Sequence, residues 1–517
     1  MQIFGITLNR YSVPIIYLAC AIVSFLLIRE SVHMFQHPIA TRAISIFLGV
    51  GFMALSLPAL WANKTPLPAQ ARFLLIIWLA STLLSTLLGN QPWPAMMRWF
   101  EILVSIGIAL CLYFIINKQP KLINLIAKAI VAAVLLCLLA FITYWNLLAD
   151  PTIHNWATDI PFFMNIRHFG QLIAVAVPLG YFLLHQKTLQ QQNKYGVIGY
   201  LILSWALVFW LGGRGTFLAV TVVTIIFGFI AKEQLKWLII SPLIGLIISL
   251  FFVVDNPSLN LFRFAGQENV TINTMSSSRM DLYIDSLIHW WTHNPILGIG
   301  ADGFRYIVPA IIDKESMAHP HNIFIQLLLS YGPVGLLIPC YFFFVLTHKV
   351  ISQTRTRTRE STKKNTSAAF YLIFLSTMIL AIFDGILYHA YRLLISAIIA
   401  GISIALVWPL PQPYCEAEIE AELEEEKLEA ELEEATRSHV KTTLIAALIA
   451  LTSLGYCLVF TYQLYSSKYT QIDEQWIHWN ARYPIYFSPT WSYQRFDTRN
   501  MELQKEIFIE RITNVKK

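Results

Sequence analysis

The chain has 517 residues, 56% of them hydrophobic and 13% charged, where a soluble domain carries about a quarter charged residues. That balance excludes a water-soluble enzyme and gives no reason to expect a nucleic-acid partner. Apolar runs of roughly 16 to 25 residues recur along most of the length, and in lipid only helices and closed barrels satisfy their own backbone hydrogen bonds. Short alternating barrel segments are absent from the sequence. The fold class expected is therefore an all-α polytopic membrane protein, with membrane lipids as its surroundings.

The net charge of +6 hides an asymmetry: Glu416 to Glu434 holds eleven glutamates and one lysine, and outside that tract 36 basic side chains face 20 acidic ones. Such a surplus suits anionic lipid surfaces and a polyanionic substrate. Of the six cysteines, Cys20, Cys111, Cys137, Cys340 and Cys457 fall in apolar runs and Cys415 beside the acidic tract. No Cys-x-x-Cys pair occurs, so neither a disulfide framework nor a zinc site is expected. Only Arg10 precedes the first apolar run, without a small-residue cleavage site, which reads as a retained helix.

In chain order, about 13 spans are predicted: 13–28, 44–61, 73–88, 102–116, 122–144, 170–184, 197–211, 216–230, 237–254, 322–346, 369–383, 393–408 and 442–462. They divide the chain into an N-terminal bundle at 1–254, a large loop at 255–321 and further spans at 322–409. An acidic helix at 410–441, a last span at 442–464 and an aromatic-rich tail at 465–517 follow. The acidic helix reads as a solvated cytoplasmic spacer or a docking element. The tail carries Trp476, Trp479, Tyr486, Phe487 and Trp491, which suits a cap at the membrane interface.

Basic residues orient the spans. Lys349, Arg355, Arg357, Arg359, Lys363 and Lys364 mark a cytoplasmic loop by the positive-inside rule. Counting back places Lys232, Lys118 and Lys64 on the same side, with a cytoplasmic N-terminus. The opposite side receives 145–169, the turn at Arg214, the loop 255–321 and the turn 384–392.

Every polar group of interest falls on that opposite side. Arg214 sits in Gly212-Gly213-Arg214-Gly215 between two spans, where it either snorkels to headgroups or meets an anion. Ser276 to Asp281 opens an amphipathic helix that runs through Leu282, Ile284, Leu287, Ile288 and Trp291 to Pro295, with serine as its cap. Arg279 in its first turn opposes the helix dipole. It either pairs with an acid on the surface or grips phosphate. Arg167 and His168, and Asp384, His389 and Arg392, are interfacial anchors or substrate contacts. The junction His319-Pro320-His321-Asn322-Ile323-Phe324-Ile325-Gln326 joins the polar loop to an apolar run. His321 can accept a hydroxyl proton near neutral pH, with Asn322 and Gln326 as candidate substrate contacts beside it. His319 is a second base or, as favoured here, a loop contact.

These motifs, in this order, resemble the O-antigen ligase superfamily: O-antigen ligases, O-antigen polymerases and bacterial protein O-oligosaccharyltransferases. His321-Asn322 followed by Gly332-x-x-Gly335 resembles the signature at the end of the family's large periplasmic loop. Arg214-x-x-x-Leu218 resembles its arginine motif. Ser278-Arg279 with Asn294-Pro295-Ile296-Leu297-Gly298-Ile299-Gly300 resembles the helix and Pro-Leu-Gly-x-Gly turn of that loop. The resemblance covers roughly residues 165–350. Leu336 stands where the family often has Thr or Val.

The resemblance implies a bacterial inner-membrane glycosyltransferase with a periplasmic site and a polyprenyl diphosphate-linked oligosaccharide donor. Arg214 and Arg279 would hold the diphosphate, and His321 would orient or deprotonate the acceptor hydroxyl. Transfer would invert the anomeric centre with no metal or other cofactor. The C-terminal additions are most like those of the protein O-oligosaccharyltransferases, so a Ser or Thr hydroxyl of a periplasmic or pilin-like protein is the acceptor expected. Ligation to lipid A core, polymerisation of O-antigen and a non-enzymatic transporter are the alternatives.

Overall fold

The computed structural model describes residues 2–3, 6–7, 9–31, 38–61, 67–89, 92–143, 166–186, 191–250, 279–304, 319–355 and 361–409. The loop 255–278 with its expected cap Ser278, the acidic helix, the last span and the aromatic tail lie outside the described residues. So does most of the 145–169 loop.

Apart from a two-residue antiparallel pair, Gln2–Ile3 with Ile6–Thr7, the described residues build thirteen α-helices. The first five are α1 (Ser12–Ser31), α2 (Pro38–Trp61), α3 (Ala69–Leu88), α4 (Pro92–Lys118) and α5 (Ile123–Thr143). Next come α6 (Ile166–His185), α7 (Gln191–Leu211), α8 (Arg214–Ile230) and α9 (Leu235–Ser249). The last four are α10 (Arg279–His293), α11 (Ile323–Arg355), α12 (Ser361–Phe383) and α13 (Ala390–Val407). Apolar runs without interior acids produce most of them, and side-chain caps start two. Asn9 Oδ1 accepts from the N–H groups of Tyr11 and Ser12, both at 2.9 Å. Asn322 Oδ1 accepts from Phe324 and Ile325, at 2.9 and 3.2 Å. Such oxygens satisfy donors that a helix start leaves open.

Among the described residues eight helices are long and apolar enough to cross a membrane, which fits a multi-pass membrane protein. The expected count of about 13 is not reached among the described residues. Spans at 216–230 and 237–254 correspond to α8 and α9, which meet at a 117° bend and together make a ninth candidate. Spans at 13–28 and 369–383 correspond to the shorter apolar helices Ser12–Leu26 and Ser367–Phe383, and the one at 442–462 is outside the described residues. Helices α6 and α13 form the centre, with 83% and 78% of their apolar windows buried. Helix α13 packs along α4, and α6 along α7 and α12.

A break in α11 organises the end of the bundle that matters here. Gly332 has φ 68° and ψ −168°, a region essentially reserved for glycine, and Pro333 follows with no N–H to give. The carbonyl of Leu329 therefore needs an outside donor and takes the N–H of Ile299 at 2.8 Å. The carbonyl of Ser330 takes the N–H of Gly300 at 3.0 Å and Ser85 Oγ at 2.6 Å. A Cβ on Gly332 would stand 1.9 Å from the Ile296 carbonyl oxygen, and one on Gly298 would stand 2.5 Å from that of Leu329. The Pro-Ile-Leu-Gly-Ile-Gly segment and the broken helix are thus two halves of one lock. The same end of the bundle collects the starts of α2, α4, α8 and α13 and the end of α12, as the contacts below establish.

Gly332→Ala is expected to destabilise the chain by about 3 kcal/mol or more, since backbone strain and a backbone clash add. A Cβ on Gly196, in α7, meets nothing within 4 Å, so Gly196→Ala should be neutral or stabilising by up to about 1 kcal/mol. Thermal unfolding in detergent compares them, and equal midpoints for the two variants would reject the lock.

Candidate active site

The turn between α12 and α13 is where the sequence candidates meet. Asp384 closes α12, its N–H donating to the Leu380 carbonyl at 2.8 Å. Its Oδ1 accepts the Gly385 N–H at 2.7 Å and faces His321 Nδ1 at 3.3 Å. A Cβ at residue 385 would lie 2.0 Å from Cε1 of His319, so any side chain there would have to displace that buried ring.

His321 itself has φ 54°, a left-handed conformation unusual for a residue with a side chain. Two neighbours hold it there. Its N–H donates to Nδ1 of His319 at 3.2 Å, and its carbonyl accepts from the Tyr283 hydroxyl at 3.4 Å. His319 is buried, with its ring centroid 4.1 Å from that of His321 and 4.7 Å from that of Tyr388. A histidine whose Nδ1 accepts from a backbone N–H cannot be doubly protonated. The electrostatics agree. Burial drives the His319 pKa well below its ordinary value, and His321, Arg279 and Arg392 push the same way against Asp384. His319 is thus buried and engaged through Nδ1 with the backbone of its own loop. Burial alone would raise the Asp384 pKa. The His321 hydrogen bond and charge, with help from Gln171 and His319, outweigh it and hold the carboxyl well below the usual range. Gln171 is itself buried, and its carboxamide approaches the carboxylate without closing a full hydrogen bond.

Arg279, the first residue of α10, donates from Nη1 to the Phe383 carbonyl, next to Asp384. One turn on, Tyr283 has its pKa raised by burial and by Asp384, with Arg279 opposing. Arg214 opens α8 and is exposed. Its neighbour Gly215 faces the same helix end, where a Cβ would lie 3.0 Å from Leu380 and 3.5 Å from Phe383. A second group borders the turn. The rings of His168 and His389 lie 4.1 Å apart, and buried Arg392 donates to the His168 carbonyl at 3.5 Å. Arg167 is exposed beside them at the start of α6. The Asn322 oxygen serves the α11 cap, and Gln326 sits half-buried one turn into that helix. Among the described residues no group of three or more His, Cys, Asp or Glu converges as a metal site.

Sequence reasoning overlooked a layer beneath the histidines. Arg42 on α2, Arg98 and Glu101 on α4, and Asp302 are all buried. Arg42 meets Asp302 at 2.5 Å and Glu101 at 3.4 Å, and Arg98 meets Glu101 at 2.5 Å. The available signal was charge inside apolar stretches, since ionisable residues in membrane segments are functional candidates by default.

With that geometry established, comparison with known proteins finds that residues 199–340 match the family model described as O-antigen ligase. That span includes Arg214, Arg279, His319 and His321. No curated protein matches the chain.

The His319 shift has a sign that can be checked. Its folded pKa lies far below the ordinary value of about 6.5, so below that pH the unfolded chain binds a proton that the folded chain refuses. Its contribution to stability is complete above about pH 6.5 and is lost as pH falls. Thermal unfolding between about pH 7.5 and 5 should show a steeper loss for the unaltered chain than for His319→Gln, which keeps an acceptor but does not titrate. Parallel slopes would contradict the assignment.

Proposed function

Residues 199–340 form a domain of the O-antigen ligase superfamily, and from that premise we propose that the chain transfers an oligosaccharide en bloc to a protein hydroxyl. The domain marks a glycosyltransferase-type enzyme of the O-antigen ligase and polymerase kind, and the family implies a polyprenyl-linked glycan donor and an acceptor. The finer reading rests on one observation above all. Arg279 and His321 converge on the adjacent residues Phe383 and Asp384, so a cation and an imidazole share one turn.

The chemistry follows from the groups. Ionised Asp384 orients His321 through Nδ1, leaving Nε2 to accept the proton of a Ser or Thr hydroxyl. The hydroxyl oxygen bonds to the anomeric carbon while the bond from that carbon to the diphosphate oxygen breaks on the opposite face, so the centre inverts. Arg279 and Arg214 bind the diphosphate and offset the charge that grows on it as it leaves. His168, His389, Arg392 and Arg167 border the turn as candidate contacts to donor or acceptor. The site faces the periplasm of the bacterial inner membrane, and the N-terminus is cytoplasmic, in keeping with the distribution of basic loops.

The acceptor is argued from the additions after residue 409, which suit a periplasmic or pilin-like protein. The family description, O-antigen ligase, favours lipid A core as the second reading.

Purified chain given lipid-linked glycan should label an acceptor protein, and labelled lipid A core with unlabelled protein would decide for the second reading. His321→Ala should lower turnover by about 10²–10⁴. A correctly inserted His321→Ala protein with unaltered turnover would remove His321 from the proton transfer. Arg279→Ala should raise the donor concentration required by more than tenfold, about 1.4 kcal/mol of binding, with acceptor dependence little changed. Equal losses for both substrates would remove Arg279 from the diphosphate.

A further inference from the structure

We infer that the buried charge cluster of Arg42, Arg98, Glu101 and Asp302 is a positioning device for the histidine pair, acting through Tyr388. The inference rests on the proposed reading of His321 as the group that meets the acceptor.

The argument begins with an imbalance. Four ionised groups are taken out of water here, and burying charges in pairs rarely improves on well-packed apolar side chains. Stability alone gives little reason for such a cluster. Its reach does. The Arg42 and Arg98 guanidinium carbons lie 5.0 and 5.1 Å from the centre of the Tyr388 ring, within the range of cation–π attraction. Arg98 also donates from Nη2 to the Leu387 carbonyl at 2.8 Å. Two consecutive residues of the α12–α13 turn are thus held from below. A plain staple between α2 and α4 would have no need to touch that turn.

Contacts then run upward without a gap. Tyr388 packs on the buried His319 ring, His319 Nδ1 holds the backbone N–H of His321, and His321 Nδ1 faces Asp384. Backbone strain marks both ends. Asp302, at φ 56°, and His321, at φ 54°, are the non-glycine residues with positive φ among the described residues. Strained conformations of this kind persist only where the surroundings over-determine them. Arg42, Arg98 and Glu101 also lie outside the matched residues 199–340, so the family match does not anticipate them.

The test uses the full chain in nanodiscs with lipid-linked glycan. Tyr388→Leu keeps an apolar side chain but removes the ring, and should lower kcat about tenfold or more with donor KM within about twofold, as misplacement of a reacting group does. Tyr388→Phe restores the ring and should recover kcat to within about threefold. A Leu variant with kcat within about twofold of the unaltered chain, or a Phe variant as impaired as Leu, overturns the inference. If Tyr388→Leu does not fold, the paired change Arg42→Gln with Asp302→Asn takes its place, with the same expected split and the same overturning result. A second readout needs no substrate. Nitrogen-15 labelling of the histidines should show His319 as a neutral ring protonated on Nε2, and Tyr388→Leu should convert it to mixed tautomers. An unchanged His319 signal overturns the inference, whereas absence of any glycan transfer overturns only the proposed function.

Discussion

A half-buried carboxylate where two helices turn back on each other has to be compensated, and the compensation of Asp384 shapes this end of the molecule. Its Oδ1 takes the backbone N–H of Gly385 and faces Nδ1 of His321, while Arg279 holds the carbonyl of the preceding residue. Removing a partner from such a group leaves a partly desolvated charge unpaired, which is destabilising. Around it, the His319 ring lies against residue 385, which has no side chain, and Arg279 of α10 reaches the end of α12.

Two polar layers are stacked at this end. The upper one, around His321, contains groups that can exchange protons or meet phosphate. The lower one, around Arg42 and Asp302, is buried and joined by ion pairs. The Tyr388 ring lies between them with cations on one side and a neutral imidazole against it. In a medium of low dielectric, fixed charges act over longer distances than in water.

The fold class was legible because span length and polarity are set by lipid, which reads composition directly. The amphipathic helix was legible from the spacing of Leu282, Ile284, Leu287, Ile288 and Trp291, and it forms as α10, with Leu282 buried and Trp291 exposed. His321, Arg279 and the glycine pattern stood out because turns and loop–helix junctions announce themselves locally. The cap that Asn322 Oδ1 gives α11 is a role that spacing alone does not disclose. Gln171, Tyr283 and Tyr388 left no local trace, since each matters only through a residue distant in the chain. Arg98 and Glu101 sit three apart on one helix face, a pairing that looks self-sufficient until Asp302 is seen beside it. The bend between α8 and α9 was likewise hidden, because an apolar run does not disclose the angle at which it meets the next.

The lock in α11 bears on how the protein is made. Ser85 at the end of α3 closes onto a carbonyl 245 residues later, and Gly89 packs against Ile299 and Gly300. During synthesis α3 therefore enters the membrane long before its partner leaves the ribosome. The Leu329 and Ser330 carbonyls find donors only when the 294–300 segment and α11 arrive together. Assembly of this end is a late, concerted event of high contact order, and the early helices must wait in lipid as a half-built bundle until the second half of the chain is translated.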